Sequence, residues 1–298
     1  MEYHQLGTSD LHVSTLSFGC MSLKGTPSEN TTLLRQALAG GINFFDTADL
    51  YDQGGNEETV GKAFKGVRDQ VILATKVGNQ WRPDGSGWDW NPGKAYILQA
   101  VEQSLRRLQT DYIDLYQLHG GTLEDPIEET IEAFELLQQQ GKIRYYGISS
   151  IRPNVIREYV RRANLVSVMM QYSLLDRRPE EEVLDLLQQH QISVLARGSL
   201  AQGLLLGKPA KAYLDLSAGQ VAKMASAVQA LATQDASELA LAVQYVLQAP
   251  AVATAVLGVR TREQLAQLLA AARAAPLAPQ QVAMLQQLLP AATYAQHR

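Results

Sequence analysis

"NFFDTADLYDQGGNEETVGKAFKGVRDQVILATKV", residues 43–77, holds the unit on which the fold reading turns. Its first part, 43–48, is an apolar, aromatic run with the composition of a buried strand. After a glycine-bearing turn, 56–66 spaces its apolar residues at helical period, and 71–77 is again a β-branched buried run. Strands that are apolar almost throughout and are joined by helices belong to parallel sheets covered on both faces.

The same rhythm runs outward in both directions. Strand candidates lie at 16–21, 43–48, 71–77, 113–119, 145–150, 166–172, 193–198 and 254–259. Helical patterns follow them at 31–41, 56–66, 95–109, 127–142, 153–163, 180–191, 237–248 and 261–272. Eight such repeats in 298 residues predict an α/β fold of the closed (β/α)8 TIM barrel type, with an open doubly wound sheet as the alternative. Residues 2–14 predict an N-terminal β-hairpin that turns at "GTSD" and plugs the barrel bottom, and 278–289 predict an extra C-terminal helix. The segment from Gly203 to Asp235 is too long for a plain connection and predicts a loop with a further helix. No Pro/Ser-rich linker divides the chain, so residues 1–298 are expected to form one barrel domain.

Composition narrows the function classes. With 46% hydrophobic and 19% charged residues the chain can build a sizeable core. A formal charge of -4 without a basic stripe argues against nucleic-acid binding. Cys20 is the only cysteine, which excludes an internal disulfide and a four-sulfur metal site. The start lacks the apolar run of a signal peptide and no 18 apolar residues follow one another, so the expected setting is cytoplasmic, away from membranes.

Barrel active sites lie where strands end at the C-terminal face. Asp46 and Tyr51 stand at the end of the second strand, Lys76 at the end of the third and His119 at the end of the fourth. Taken singly, the acid could hold a turn, the tyrosine could sit on a rim and the histidine could be a satisfied core group. Lys76 is different, because a cation within an apolar run asks for a partner, and Asp46 on the adjacent strand is the natural one. A neighbouring ammonium favours the phenolate and is expected to lower the phenol's pKa from its ordinary ~10. Tyr51 would then act as general acid toward a developing alkoxide while His119 orients the carbonyl. Such a set suits carbonyl reduction, with a hydride from a cofactor.

A G-x-G-x-x-G turn is missing; "GSGWDW" at 85–90 has neither the third glycine nor a preceding strand. Barrels often bind phosphate with the loops after strands seven and eight, here 196–208 and 257–265. Arg260 and Thr261 open a helix in the second loop, where a phosphate monoester or a plain capped helix would both fit.

In "FFDTADLYDQGGNEETVGKAFK", "ILATKVG", "SLRRLQTDYIDLYQLHG", "GKIRYYGISS", "YSLLDRRPE" and "RGSLAQGLLLGK" the chain resembles the aldo-keto reductase superfamily from end to end. The resemblance implies a (β/α)8 barrel that reduces aldehydes or ketones with NADPH, with Tyr51 as proton donor, Lys76 and Asp46 as its tuning pair and His119 at the carbonyl. It places the nicotinamide near Gly19, Met21 and Asp46, with Ser149 at its carboxamide. It sets the pyrophosphate along Ser199, Leu200, Gly203 and Lys208, and the 2′-phosphate near Gly258, Arg260, Thr261 and Gln264. The chain departs from the family pattern in having Ser150 for an asparagine, Met169 for a glutamine, Arg197 for a stacking aromatic and Leu268 for an asparagine. Gln171, on the same strand face as Met169, can stand in for that glutamine, and the planar guanidinium of Arg197 can stack.

Two further readings compete. Some members of the superfamily are cofactor-binding, redox-sensing regulatory subunits of ion channels. A sugar-phosphate isomerase would need a glutamate at a strand end, and none of these strands ends in one. The expected partner is a small carbonyl substrate. Its walls would come from 78–93, 119–126 and the C-terminal tail, with Trp81, Trp88 and Trp90 suggesting aromatic or apolar surfaces.

Overall fold

The computed structural model describes residues 1–234 and 236–298; Asp235, where the predicted insertion ends, lies outside the described residues. The chain opens with an antiparallel hairpin of β1 (Tyr3–Gln5) and β2 (His12–Ser14). The strands β3 (Leu16–Gly19), β4 (Phe44–Asp46) and β5 (Ile72–Val77) are followed by a second hairpin, β6 (Asn79–Trp81) and β7 (Trp88–Trp90). Then come β8 (Ile113–Leu118), β9 (Ile143–Ser149), β10 (Ser167–Gln171), β11 (Ser193–Arg197) and β12 (Val252–Gly258). Strands β3, β4, β5 and β8 to β12 pair in parallel, and β12 returns to β3, closing an eight-stranded barrel. All eight predicted strands are present.

Period-two alternation assigns each side chain to one of two cores. Phe44, Ala74, Leu115 and Leu195 fill the barrel interior together with Leu6, Leu11 and Val13 of the hairpin, which plugs the barrel as expected. Their neighbours Phe45, Leu73 and Tyr116 face the surrounding helices, where Phe64 and Phe134 meet them. Those helices are α1 (Pro27–Ala39), α2 (Gly55–Phe64), α3 (Lys94–Leu108), α4 (Ile127–Gln139), α5 (Pro153–Arg162), α6 (Val183–Gln189), α8 (Glu238–Leu247) and α9 (Arg262–Ala271). The two additions predicted outside the repeat are α7 (Ala218–Leu231) and α10 (Pro279–Leu288).

Differences from the sequence reading have local causes. Helix α1 starts before residue 31 because Thr26 and Glu29 form a reciprocal capping box with a proline at the first turn. Residues 78–93, expected as a wall of the substrate space and not as strands, contain β6 and β7, because Trp81 pairs with Trp88 and Asn79 with Trp90 around the Pro83–Gly87 turn. At the closed end, buried Asp114 accepts from Leu73 N–H at 2.9 Å and from Arg68 at 2.6 Å. It also takes Arg144 at 3.1 Å, and Arg144 reaches on to Asp10 of the first hairpin at 2.9 Å.

Candidate active site

Alternation along β4, β5 and β8 carries Phe44, Ala74 and Leu115 into the interior, and two residues further on it carries Asp46, Lys76 and Gln117 there as well. Lys76 pairs with Gln117 in register, and Asp46 lies opposite Ala74. The ammonium of Lys76 therefore donates to Asp46 Oδ2 at 2.6 Å and to the Thr47 carbonyl at 2.8 Å, and lies 3.5 Å from the Tyr51 hydroxyl. Tyr51 sits five residues beyond the strand on a turn in which Asp52, Gln53 and Gly54 all have positive φ, a tight reversal that returns its ring over the strand ends. The His119 ring stands edge-on to that of Tyr51, with centroids 5.8 Å apart. The structure thus brings Asp46, Tyr51, Lys76 and His119 together.

Electrostatics agree with the pairing and correct one expectation. Burial pulls the Lys76 ammonium down, but the oxygens of Asp46 and Tyr51 outweigh it and leave its pKa raised, so it stays cationic. Burial pulls His119 down to about 3, with Lys76 and Arg197 adding repulsion; its imidazole is neutral at physiological pH. The Tyr51 phenol was expected below its ordinary value and instead lies above it. Burial of the phenolate is the dominant effect; Lys76 pulls the pKa down, and Asp46, which neutralises that lysine, pushes it back up.

Gln117 escaped the sequence reading. Fully buried, it donates to Asp46 Oδ1 at 3.3 Å, so the carboxylate is held from both sides. The available signal was the one that exposed Lys76, a polar residue inside an apolar strand run.

Tyr51 and His119 line a cavity of about 910 Å³ at the C-terminal ends of the strands. Gly19, Met21, Asp46, Ser149, Gln171 and Arg197 line it too, so the residues assigned to the nicotinamide end share one space; Gly258, assigned to the 2′-phosphate, lines this same cavity. A Cβ at Gly258 would fall 2.7 Å from Ser22 Oγ, so a side chain there would have to displace that hydroxyl. Among the described residues the Ser199 hydroxyl is fully buried and without a hydrogen-bond partner, an orphaned donor in the loop after β11. These features fit a dinucleotide.

Other predicted contacts are engaged within the protein. The Gln171 amide donates to Asp176 at 2.9 Å and Tyr213 at 3.1 Å and accepts from Arg197 at 3.2 Å, so it orients that guanidinium. Lys208 donates to the Gln202 carbonyl at 2.8 Å and lies against Gly203, while Leu200 is half-buried beside them. At the start of α9, Gln264 takes the Arg260 N–H at 2.8 Å and Thr261 caps the Gln264 N–H at 3.2 Å, which is the capped-helix arrangement. Asn79 lines the cavity from within the expected wall 78–93, whereas sequence reasoning missed Arg152 and Tyr213; both come from loops, where no period marks facing.

A family model described as "Aldo/keto reductase family" matches residues 15–290. The Bacillus subtilis (strain 168) protein described as uncharacterized oxidoreductase YqkF is 51% identical, with 100% of both chains covered. The NADH-specific methylglyoxal reductase of Escherichia coli (strain K12) is 35% identical, over 70% of this chain and 70% of its own. Among solved structures, the aldo-keto reductase AKR11C1 from Bacillus halodurans in its holo form is 52% identical, with a TM-score of 0.94 over 100% of this chain and 99% of that one. Its apo form gives 0.87. An aldo/keto reductase from Klebsiella pneumoniae in complex with NADP and acetate is 29% identical, with a TM-score of 0.80 over 100% and 99% of the two chains.

Proposed function

Because this chain belongs to the aldo/keto reductase family, we propose that it reduces aldehydes or ketones to alcohols with a nicotinamide dinucleotide, NADPH in preference to NADH, and Tyr51 as general acid. The observation that carries the reading is the meeting of Asp46, Tyr51 and His119 at one cavity, with buried Lys76 held by Asp46 at 2.6 Å and 3.5 Å from the Tyr51 hydroxyl. When bound, the dinucleotide supplies the hydride that no side chain can. Gly19, Met21, Ser149 and Arg197 would hold its nicotinamide end, Ser199, Leu200, Gly203 and Lys208 its pyrophosphate, and Gly258, Arg260, Thr261 and Gln264 its 2′-phosphate. The greater similarity to the holo than to the apo form of AKR11C1, 0.94 against 0.87, supports a cofactor-ready backbone. The NADP complex of the Klebsiella relative supports the choice of NADPH, and the NADH-specific E. coli relative makes that choice worth measuring.

The side chains divide the remaining work. Neutral His119 donates an N–H to the carbonyl oxygen and fixes its direction. Tyr51, protonated at neutral pH, hands its proton to that oxygen as negative charge develops. The Lys76 ammonium faces the phenolate that remains, and its pull is worth most at that moment, inside a site shielded from water. Asp46, held by Gln117, keeps the ammonium in place.

Consumption of NADPH with a panel of aldehydes and ketones tests the reading. Tyr51→Phe is expected to cut turnover by ~10² or more while cofactor affinity stays nearly constant. A variant that keeps most of its activity would remove Tyr51 from the reaction. Tight NADPH binding with no turnover of any carbonyl would point to a redox-sensing subunit instead.

A further inference from the structure

We propose that the carbonyl substrate carries a carboxylate and that Arg152, in the turn before α5, is the residue that selects it. This rests on the carbonyl-reductase reading above. Arg152 lines the same cavity as Tyr51 and His119 and is only half-buried. Its Nη1 donates to the Gly121 carbonyl at 2.7 Å, which ties the guanidinium to the segment that follows His119. That is the one hydrogen bond of its side chain among the described residues, and the remaining N–H donors of the fork are unused.

No nearby acid is ion-paired with Arg152 among the described residues. Among the described residues Asp46 is the only carboxylate lining the cavity, and Lys76 holds it. Asp125 accepts from the Trp90 indole at 2.9 Å, from the Thr122 N–H at 2.7 Å and from its hydroxyl at 2.9 Å. Glu124 is exposed and forms no ion pair among the described residues; hydrogen bonds from its own backbone and Thr122 hold its carboxyl low, with Arg152 and His297 adding a longer-range pull. Arg197, the other guanidinium of the cavity, is turned by Gln171 on the wall assigned to the nicotinamide.

A cation with open donors at the edge of a reaction cavity is a receptor for an anion, and a planar guanidinium is matched by a carboxylate. The adjoining wall is apolar: Met21 and Trp88, 63% and 47% exposed, flank the mouth with Ile151 and Trp90. A substrate that reaches from the Tyr51 hydroxyl to Arg152 along that wall is an aldehyde or ketone joined to its carboxylate by an apolar or aromatic spacer.

The test compares 4-carboxybenzaldehyde with its uncharged methyl ester, each with NADPH. The acid is expected to show a kcat/KM at least about tenfold above the ester, the size of one charge-assisted hydrogen bond. In Arg152→Gln that ratio should collapse toward one through KM for the acid, and Arg152→Lys should fall between. Because the ratio is taken within each variant, a general loss of folded protein cancels. A wild-type ratio at or below one, or a ratio that survives Arg152→Gln, overturns the proposal. Silence with every carbonyl of the panel overturns the carbonyl-reductase reading; should only these two aldehydes go unreduced, quenching of tryptophan fluorescence decides this proposal. Tighter binding of the acid that is lost in Arg152→Gln sustains it, and equal binding of acid and ester overturns it.

Discussion

At the scale of single residues, the polar groups inside apolar strands are the informative ones. Asp46, Lys76 and His119 were legible because an ionisable side chain amid Phe, Leu and Val has no cause to be there unless it meets a partner. Gln117 carries the same signal, yet a neutral amide demands no counter-charge and so announces itself less. Asp49 is a different case. It is buried behind the Tyr51 turn with Oδ1 unpartnered, and burial, then Glu57, push its carboxyl up to about 8 against the pull of Arg107. The folded state therefore keeps a proton that the unfolded chain releases near the ordinary value of 3.8. Stability contributed by this group declines as pH rises from there toward about 8 and is level beyond. Asp49→Asn keeps the shape and removes the ionisation. Its melting temperature relative to wild type should rise steadily between pH 5 and pH 8; a pH-independent difference would show that Asp49 is not the group responsible.

At the scale of elements, strands and helices were found in the right order because periods of 2 and 3.6 are local properties of the chain. Their junctions were less legible. The start of α1 is set by a side-chain capping box, and the β6/β7 hairpin depends on cross-strand pairing of residues on either side of a glycine-rich turn. How closely α2 and α3 approach is likewise invisible in one dimension. A Cβ at Gly61 would lie 2.5 Å from the Arg107 carbonyl oxygen and 2.6 Å from the Leu108 backbone, which cannot rotate away. Gly61→Ala should therefore destabilise the protein by about 1–3 kcal/mol in urea titrations. Gly55→Ala, at the open start of the same helix, where the nearest atom is 3.7 Å away, should be neutral or slightly stabilising. Equal effects of the two substitutions would refute close packing as the reason for Gly61.

At the scale of the whole molecule, closure of the barrel turns strand ends far apart in sequence into one wall, and ligand binding there is read by global stability. If Arg260 meets the 2′-phosphate, NADPH should raise the melting temperature more than NADH at equal concentration, and Arg260→Ala should erase the difference. An equal rise with both cofactors before and after the substitution would free Arg260 from that role. The sequence by itself determined the eight-fold repeat, the plugging hairpin and the strand ends bearing Asp46, Tyr51, Lys76 and His119, because alternation and hydrophobic period are encoded residue by residue. Only the tertiary structure decided the direction of the Tyr51 pKa, the engagement of Gln171 and Gln264 inside the protein, and the open guanidinium of Arg152. Burial, counter-charges and competing hydrogen bonds are sums over neighbours in space, and chain order does not name those neighbours.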